Sequence, residues 1–448
     1  MSLWFTRTAG NTNTPAITFR TLQSVGHRLG PGLLFAASSV GTSHLVQSTR
    51  AGADYGLAMF GLILLACFIK YPAFRFGTDY AAATGSTLVD SYFRQGRWAV
   101  AVYTLEVLVT MFVATAAVGI VSAGLINSVL SLAIPARWLT CGLLVLCAAV
   151  LISGRYQLFE KLTKGLVALF MVLILVAVGL TLPKLQIQAT SMAPVLQPEH
   201  STLLFMVALA GWMPTAISAS VFQSLWVCAK SKALGRPLTL AEARFDFNFG
   251  YISTILLAFC FMVLGAVLMF QPGEAVADNA SGFATQLISL FTQSIGQFAY
   301  PIIALVAVAV MLSTLLALLD ACPRAVGAML TYRKQSGGSA KTLSIEATIE
   351  QSVAHEDRFY TLLLVAQCLG AMTVLMLFMS SFKDFIDFAT SVAFLTAPVL
   401  AVMNHRAIYA PEVPDSARPS PLMRLWSLLG IIVMGLFGLC YIYFGILN

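Results

Sequence analysis

Hydrophobic runs long enough to cross a bilayer recur eleven times along the chain, at roughly 31–50, 55–76, 98–127, 138–154, 158–182, 202–229, 248–271, 298–330, 359–380, 384–404 and 423–446. A spanning helix satisfies its own backbone in lipid, so these runs specify an all-α polytopic membrane protein. A composition of 58% hydrophobic and 10% charged residues, with mean hydropathy +0.85, excludes a soluble globular domain. The first thirty residues are polar and contain no apolar core, so no cleavable signal peptide is expected.

Loop charge orients the spans, because Lys and Arg accumulate on the cytoplasmic side. With the N-terminus inside, the inner segments carry Arg7, Arg20, Arg28, Lys70, Arg75, Arg94, Arg97, Arg155, Lys161, Lys164, Lys230, Lys232, Arg236, Arg244, Arg324, Arg333, Lys334, Lys341, Arg358, Arg406, Arg418 and Arg424. The outer loops keep Arg50, Arg137, Lys184 and Lys383. The expectation is a multi-pass protein of the cell inner membrane, N-terminus cytoplasmic and C-terminus external. The net charge of +7 is spread along one membrane face, which argues against nucleic acid as a partner and for the lipid bilayer.

Within the first span the apolar helix is interrupted by Ser38-Ser39-Val40-Gly41-Thr42-Ser43-His44. Unwound backbone at mid-membrane depth is tolerable only where its N–H and C=O groups meet a cavity, protein or a bound solute, so the interruption predicts a binding site. The sixth span carries a second interruption at Trp212-Met213-Pro214. Spans one and six each open a five-helix set with a break about ten residues in, the pattern of a 5+5 inverted-repeat transporter with its site between the repeats. The eleventh span is an appendage. The expected organisation is a cytoplasmic tail over 1–24, a ten-helix core over 25–410 and the eleventh helix within 411–448.

Two connections are longer. Ser336 to His355 reads as a mobile cytoplasmic loop with a short helix near Leu343 to Val353, and the amphipathic stretch Phe283 to Phe298 as an outer interfacial segment. Cys67, Cys141, Cys147, Cys228, Cys260, Cys322, Cys368 and Cys440 lie in or at the ends of spans without metal-finger spacing, and read as small core residues. No nucleotide-binding loop or cofactor motif stands out, so neither an enzyme nor ATP-driven transport is expected, and no cofactor.

Leu29-Gly30-Pro31-Gly32, the broken segment and Arg50-Ala51-Gly52-Ala53-Asp54-Tyr55-Gly56-Leu57 together resemble the first helix of the Nramp divalent-metal transporters. Tyr156-Gln157-Leu158-Phe159-Glu160-Lys161 and Met213-Pro214 extend the resemblance, which covers roughly 25–330. It implies a LeuT-type fold of ten core helices and places the substrate site at the two breaks. The chain departs from the metal-carrying members at the ligands. Their Asp-Pro-Gly-Asn falls on Gly41, Thr42, Ser43 and His44, their Met-Pro-His becomes Met213-Pro214-Thr215, and two proton-moving acids of the third helix, aligned on Glu106, fall on Val113 and Ala116. The chain thus looks like a divergent branch.

A desolvated divalent ion at mid-membrane needs compensating negative charge, and neither break supplies a carboxylate. A zwitterionic solute fits better: amides at a half-helix start favour a carboxylate, and carbonyls at a half-helix end favour an ammonium. The leading expectation is a secondary-active symporter, a monomer, for small amino acids or similar organic solutes, coupled to protons or sodium. A divalent-metal transporter using His44, Met213, carbonyls and water is the alternative, and a non-transporting membrane sensor a further one.

The expected substrate-binding residues are Ser38, Ser39, Gly41, Thr42, Ser43, His44 and Gln47 of the first break, and Trp212, Met213, Pro214, Thr215 and Ser218 of the second. Each has a plainer reading: a packing notch for the small residues, core filler for Met213, a kink for Pro214, an interhelical hydrogen bond for His44. Glu106 and Asp320 are intramembrane acids and candidate coupling groups, although Arg324 one turn away offers Asp320 an ion pair. Ser313 and Thr314 supply hydroxyls suited to sodium coordination, as in sodium-driven relatives.

Overall fold

The computed structural model describes residues 30–132, 134–153, 156–184, 200–270, 277, 279–336, 345–378 and 382–443. The 1–24 tail, Leu29 and loop residues 337–344 lie outside them, as do the side chains of Tyr156 to Lys161.

The regular elements among the described residues are all helical. In chain order the α-helices are α1 (Pro31–Ser39), α2 (Thr49–Tyr55), α3 (Phe60–Thr84), α4 (Leu88–Gln95), α5 (Arg97–Val109), α6 (Thr115–Leu130), α7 (Ala136–Ile152) and α8 (Tyr156–Thr181). The second half has α9 (His200–Trp212), α10 (Ala219–Leu234), α11 (Leu240–Leu268), α12 (Ala280–Ile295), α13 (Tyr300–Ser336), α14 (Ile345–Phe378), α15 (Phe382–Ile408) and α16 (Pro421–Ile442).

Among the described residues, seven stretches are each long and apolar enough to cross a membrane: α3, the continuous α5–α6 stretch, α11, α13, α14, α15 and α16. The first and sixth runs are split, into α1 with α2 and α9 with α10, and α7 and α8 complete the eleven. Large apolar side chains such as Leu64, Leu105, Ile252 and Leu305 are exposed, as a lipid-facing surface requires.

Several helix ends and kinks are satisfied from other helices. α1 opens on Pro31 without a side-chain cap of its own. Asp246 of α11 supplies one, accepting the Gly30 N–H at 3.0 Å and the Gly32 N–H at 2.9 Å. The approach is close: a Cβ on Gly32 would lie 1.9 Å from the Asp246 carbonyl oxygen, so only glycine fits. In α3, Pro72 removes the N–H that would bond Phe68 O, and the Trp426 indole of α16 donates to that oxygen instead, at 2.9 Å. This bond docks the eleventh span onto the bundle.

Two longer connections differ in detail from the sequence reading. The amphipathic stretch forms α12, whose Phe283, Leu287, Leu290 and Phe291 are buried where it packs on α6 and α8. The short helix expected near Leu343 to Val353 is the opening of α14, which continues unbroken to Phe378.

Two of the basic residues counted as flanking charge are buried within the helix bundle. Lys70 sits at the middle of α3 with no exposed surface, and Arg50 lies within α2 at 5% exposure. Each is held there by partners from a distant helix, described below.

Candidate functional site

α1 ends after Ser39 because the chain stops bonding in helical register. Val40 N–H still reaches Ala36 O at 3.0 Å, but Gly41 N–H turns to Ser39 O at 2.9 Å, and both His44 and Leu45 N–H close on Gly41 O, at 3.1 and 2.9 Å. The amides of Thr42 and Ser43 therefore precede the first closed turn of the new helical stretch, at its positive end. A π-helical segment, Ser43–Ser48, then leads into α2. In the second break α9 stops at Trp212, the Met213–Pro214 peptide is cis, and α10 begins at Ala219.

Between the breaks lies a cavity of about 90 Å³, room for several waters at roughly 10–15 Å³ each. The first break contributes Ser38, Ser39, Gly41, Thr42 and Ser43 to its wall, and the second Trp212, Thr215 and Ser218. α5 adds Glu106 and α13 adds Thr314. Thr314 stands directly against the break, since a Cβ on Gly41 would lie 2.9 Å from its Cγ2.

Three polar atoms on this wall are buried without a hydrogen-bond partner: Ser39 Oγ, Thr42 Oγ1 and Glu106 Oε2. The other Glu106 oxygen accepts from Thr110 Oγ1 at 2.9 Å, and Ser43 Oγ is already spent on Ser39 O at 2.9 Å. An unmade hydrogen bond on a buried polar group costs about 1–3 kcal/mol. All three belong to residues that line this one cavity.

Six of the residues singled out from sequence are not on the wall. The His44 ring turns towards α11, with Nε2 2.9 Å from Thr254 O and Nδ1 2.8 Å from Ser43 Oγ. The Gln47 amide donates to Asp387 at 2.9 Å and to Thr390 at 3.2 Å. Met213 is fully buried and its sulfur accepts from Ser48 Oγ at 3.6 Å, and Pro214 is not among the lining residues. Ser313 donates to Val310 O at 3.0 Å within its own helix. Asp320 takes the ion pair with Arg324 at 2.9 Å and a hydrogen bond from Tyr360 at 2.9 Å.

Other groups emerge only in three dimensions. Thr110 and Val113 of the α5–α6 stretch, Phe222 and Trp226 of α10, and Val392 and Thr396 of α15 also line the cavity. Ala116, the other aligned acid position, is buried in the core away from it. A π-helical segment, Thr110–Ala114, brings Thr110 and Val113 to the wall opposite the first break. Lys70 of α3 reaches the end of α9, where its Nζ donates to Ala210 O at 2.6 Å and Gly211 O at 2.7 Å. A lysine ten residues inside an apolar run was the visible signal for it.

Beyond the first break, Gln47 and Arg50 are buried. There Arg50 Nη1 and Nη2 donate to the two oxygens of Asp387 at 2.7 and 3.1 Å, tying α2 to α15, with the Phe205 ring of α9 4.9 Å from the guanidinium carbon. The wall runs the other way, through Phe222, Trp226, Ala321 and Thr396, towards the face that bears Arg97, Lys230 and Arg244. On that face Asp246 clasps the start of α1, and Asp79 pairs with Arg75 at 3.2 Å and Arg244 at 2.8 Å.

Known proteins share this architecture. The sequence profile of the natural resistance-associated macrophage protein-like family, Nramp, matches residues 32–444. The uncharacterized protein PM0681 of Pasteurella multocida (strain Pm70) is 29% identical over 418 residues, covering 92% of this chain and 91% of that protein. A manganese transporter of Eremococcus coleocola, solved as a single-site variant, superposes with a TM-score of 0.62 at 14% identity, over 96% of this chain and 89% of that one. MhsT in complex with L-phenylalanine gives 0.57 at 15% identity, over 92% and 98% of the two chains. Mhp1, a nucleobase-cation-symport-1 family transporter, gives 0.54 at 12% identity, over 92% of each. These likenesses establish the LeuT-type fold, and the family is one of transporters rather than enzymes. With a profile match running across nearly the whole chain, the protein belongs to the Nramp family.

Proposed function

We propose that this chain carries a small amino acid or similar zwitterionic organic solute across the membrane by alternating access, coupled to protons or sodium. Secondary transport is supported by the family and by the transporter fold. The substrate rests on one observation: the unpartnered Ser39 and Thr42 hydroxyls face the same cavity as the unpartnered Glu106 oxygen. In this reading the Thr42 and Ser43 amides, at the positive end of the resumed helix, hold the solute carboxylate, and Thr42 Oγ1 donates to it. The carboxylate of Glu106 stands across the cavity as the group that takes up and releases the coupling proton. Thr314, against Gly41, is the hydroxyl placed to assist a sodium ion if sodium drives transport.

The basic face is placed in the cytoplasm of the inner membrane, with the N-terminus there, the C-terminus external and the protein a monomer. The cavity then opens inwards and the Arg50–Asp387 pair closes the outside.

A second reading, divalent-metal transport, draws on Glu106, an anionic oxygen aimed into the cavity, and on the named activity of the manganese-transporter relative. Against it stands the donor set. Glu106 is the one carboxylate on the wall, Gly41 and Thr215 occupy the family's acid and imidazole positions, and His44 and Met213 face elsewhere.

The two readings separate in a melting-temperature screen of the purified protein against single amino acids and against manganese. Saturable stabilisation by an amino acid, weakened at least about tenfold in Ser39→Ala/Thr42→Ala, supports the proposal; tenfold is about 1.4 kcal/mol. Saturable stabilisation by manganese alone overturns it.

A further inference from the structure

The last carbonyls of α9 lack ordinary donors. Pro214 has no N–H for Ala210 O, and the chain turns away before Thr215 can serve Gly211 O. Lys70 takes both oxygens with one ammonium, at 2.6 and 2.7 Å. It has no exposed surface, and the Phe394 ring of α15 lies 5.9 Å from Nζ, within cation–π range.

No acid balances this charge among the described residues. The ionisable groups of the packed helices are engaged elsewhere: Asp246 with the start of α1, Asp387 with Arg50, Arg244 with Asp79, His405 with Ser427, and Arg424 over the Tyr409 ring. Cys67, one turn back on α3, is the ionisable neighbour, and its own carbonyl receives the Tyr251 hydroxyl at 2.7 Å. What compensates the ammonium is therefore the negative end of a half-helix, two carbonyl oxygens and an aromatic face. That is the donor set of a monovalent-cation site.

We propose that Lys70 is a resident cation, whose ammonium fills a cation site formed by the carbonyl end of α9 so that the second break needs no ion from solution. The site is the protein's own counterpart to a bound sodium ion. It fixes the α9 end beside Trp212, behind the second break, whatever solute the cavity takes.

The test compares melting temperatures of the purified full chain with those of Lys70→Ala, Lys70→Met and Lys70→Arg. Each is titrated with sodium chloride or ethylammonium chloride, against choline chloride at equal ionic strength. Lys70→Ala leaves space beside both carbonyls, so its lowered melting temperature is expected to recover saturably with sodium or ethylammonium and not with choline. Wild type and Lys70→Arg should show no such ion-specific rise. A Lys70→Met protein as stable as wild type, or a Lys70→Ala protein that responds equally to all three salts, overturns the proposal. If Lys70→Ala cannot be purified, the monodisperse yields of the other two decide. Arg above Met supports a cation, and equal yields refute it.

Discussion

The guanidinium of Arg50 meets both carboxylate oxygens of Asp387, at 2.7 and 3.1 Å, across a sequence separation of 337 residues. Gln47, one turn before Arg50, donates to the same carboxylate at 2.9 Å. The pair joins the half-helix after the first break to α15 of the second repeat, on the side proposed to be closed to the outside.

Asp387→Asn should loosen that closure. Breaking a fully enclosed pair costs about 3–5 kcal/mol, and the 22% exposure of the Asp387 side chain reduces the expectation to about 1–3 kcal/mol. Combined with Ala389→Cys on the cavity wall, the substitution should speed modification by an impermeant thiol reagent added from the Arg50 side. An unchanged modification rate would show that the pair does not close this side.

Gly41→Ala should weaken solute binding, because the added methyl meets Thr314 Cγ2 at 2.9 Å. Overpacking of this kind costs about 1–3 kcal/mol of stability, and the displaced wall should weaken binding as well. Thr314→Ser removes the nearer obstruction, the methyl, and keeps the hydroxyl at 3.1 Å, so the double variant should recover part of the loss. Melting-temperature titrations with the solute measure both. Failure of Thr314→Ser to rescue would mean that the glycine serves something other than this contact.

The loop between α15 and α16 should give a small acid-side loss of stability. Partial burial pushes the Glu412 carboxyl up, but a backbone hydrogen bond and those from Arg94, at 2.9 Å, and Tyr80, at 3.0 Å, together bring it below its ordinary value. A carboxyl depressed in the folded state stabilises it above the unfolded value, near 4.3, and that contribution fades as pH falls through the lower folded value. The melting-temperature gap between wild type and Glu412→Gln should therefore hold steady down to about pH 5 and narrow below about pH 4. A gap that stays constant would mean that this carboxyl is not linked to folding.

Much of the architecture was legible because lipid leaves so few options. Eleven apolar runs and two interruptions could be read directly, since an unbonded backbone in hydrocarbon is conspicuous in any sequence. Side-chain direction was not legible. His44 and Ser43 are neighbours in the chain, yet the ring faces α11 while the serine faces the cavity, and the π-helical segment that holds both leaves no mark in composition. Lys70 looked like a loop charge because its partners are backbone oxygens 140 and 141 residues away, where no acidic residue advertises them. Arg50 escaped for a related reason. Its acid does exist, but it lies in the tenth span, and pairing across repeats follows from the fold rather than from spacing.

The central claim is that a cavity with unpartnered hydroxyls and a single carboxylate takes a zwitterionic organic solute rather than a metal ion. Flux into proteoliposomes tests it most directly, with radiolabelled amino acids and manganese measured side by side under a proton or sodium gradient. Saturable uptake of an amino acid, lost in Ser39→Ala/Thr42→Ala, is expected, with no saturable manganese entry. Saturable manganese flux without amino-acid flux would contradict it.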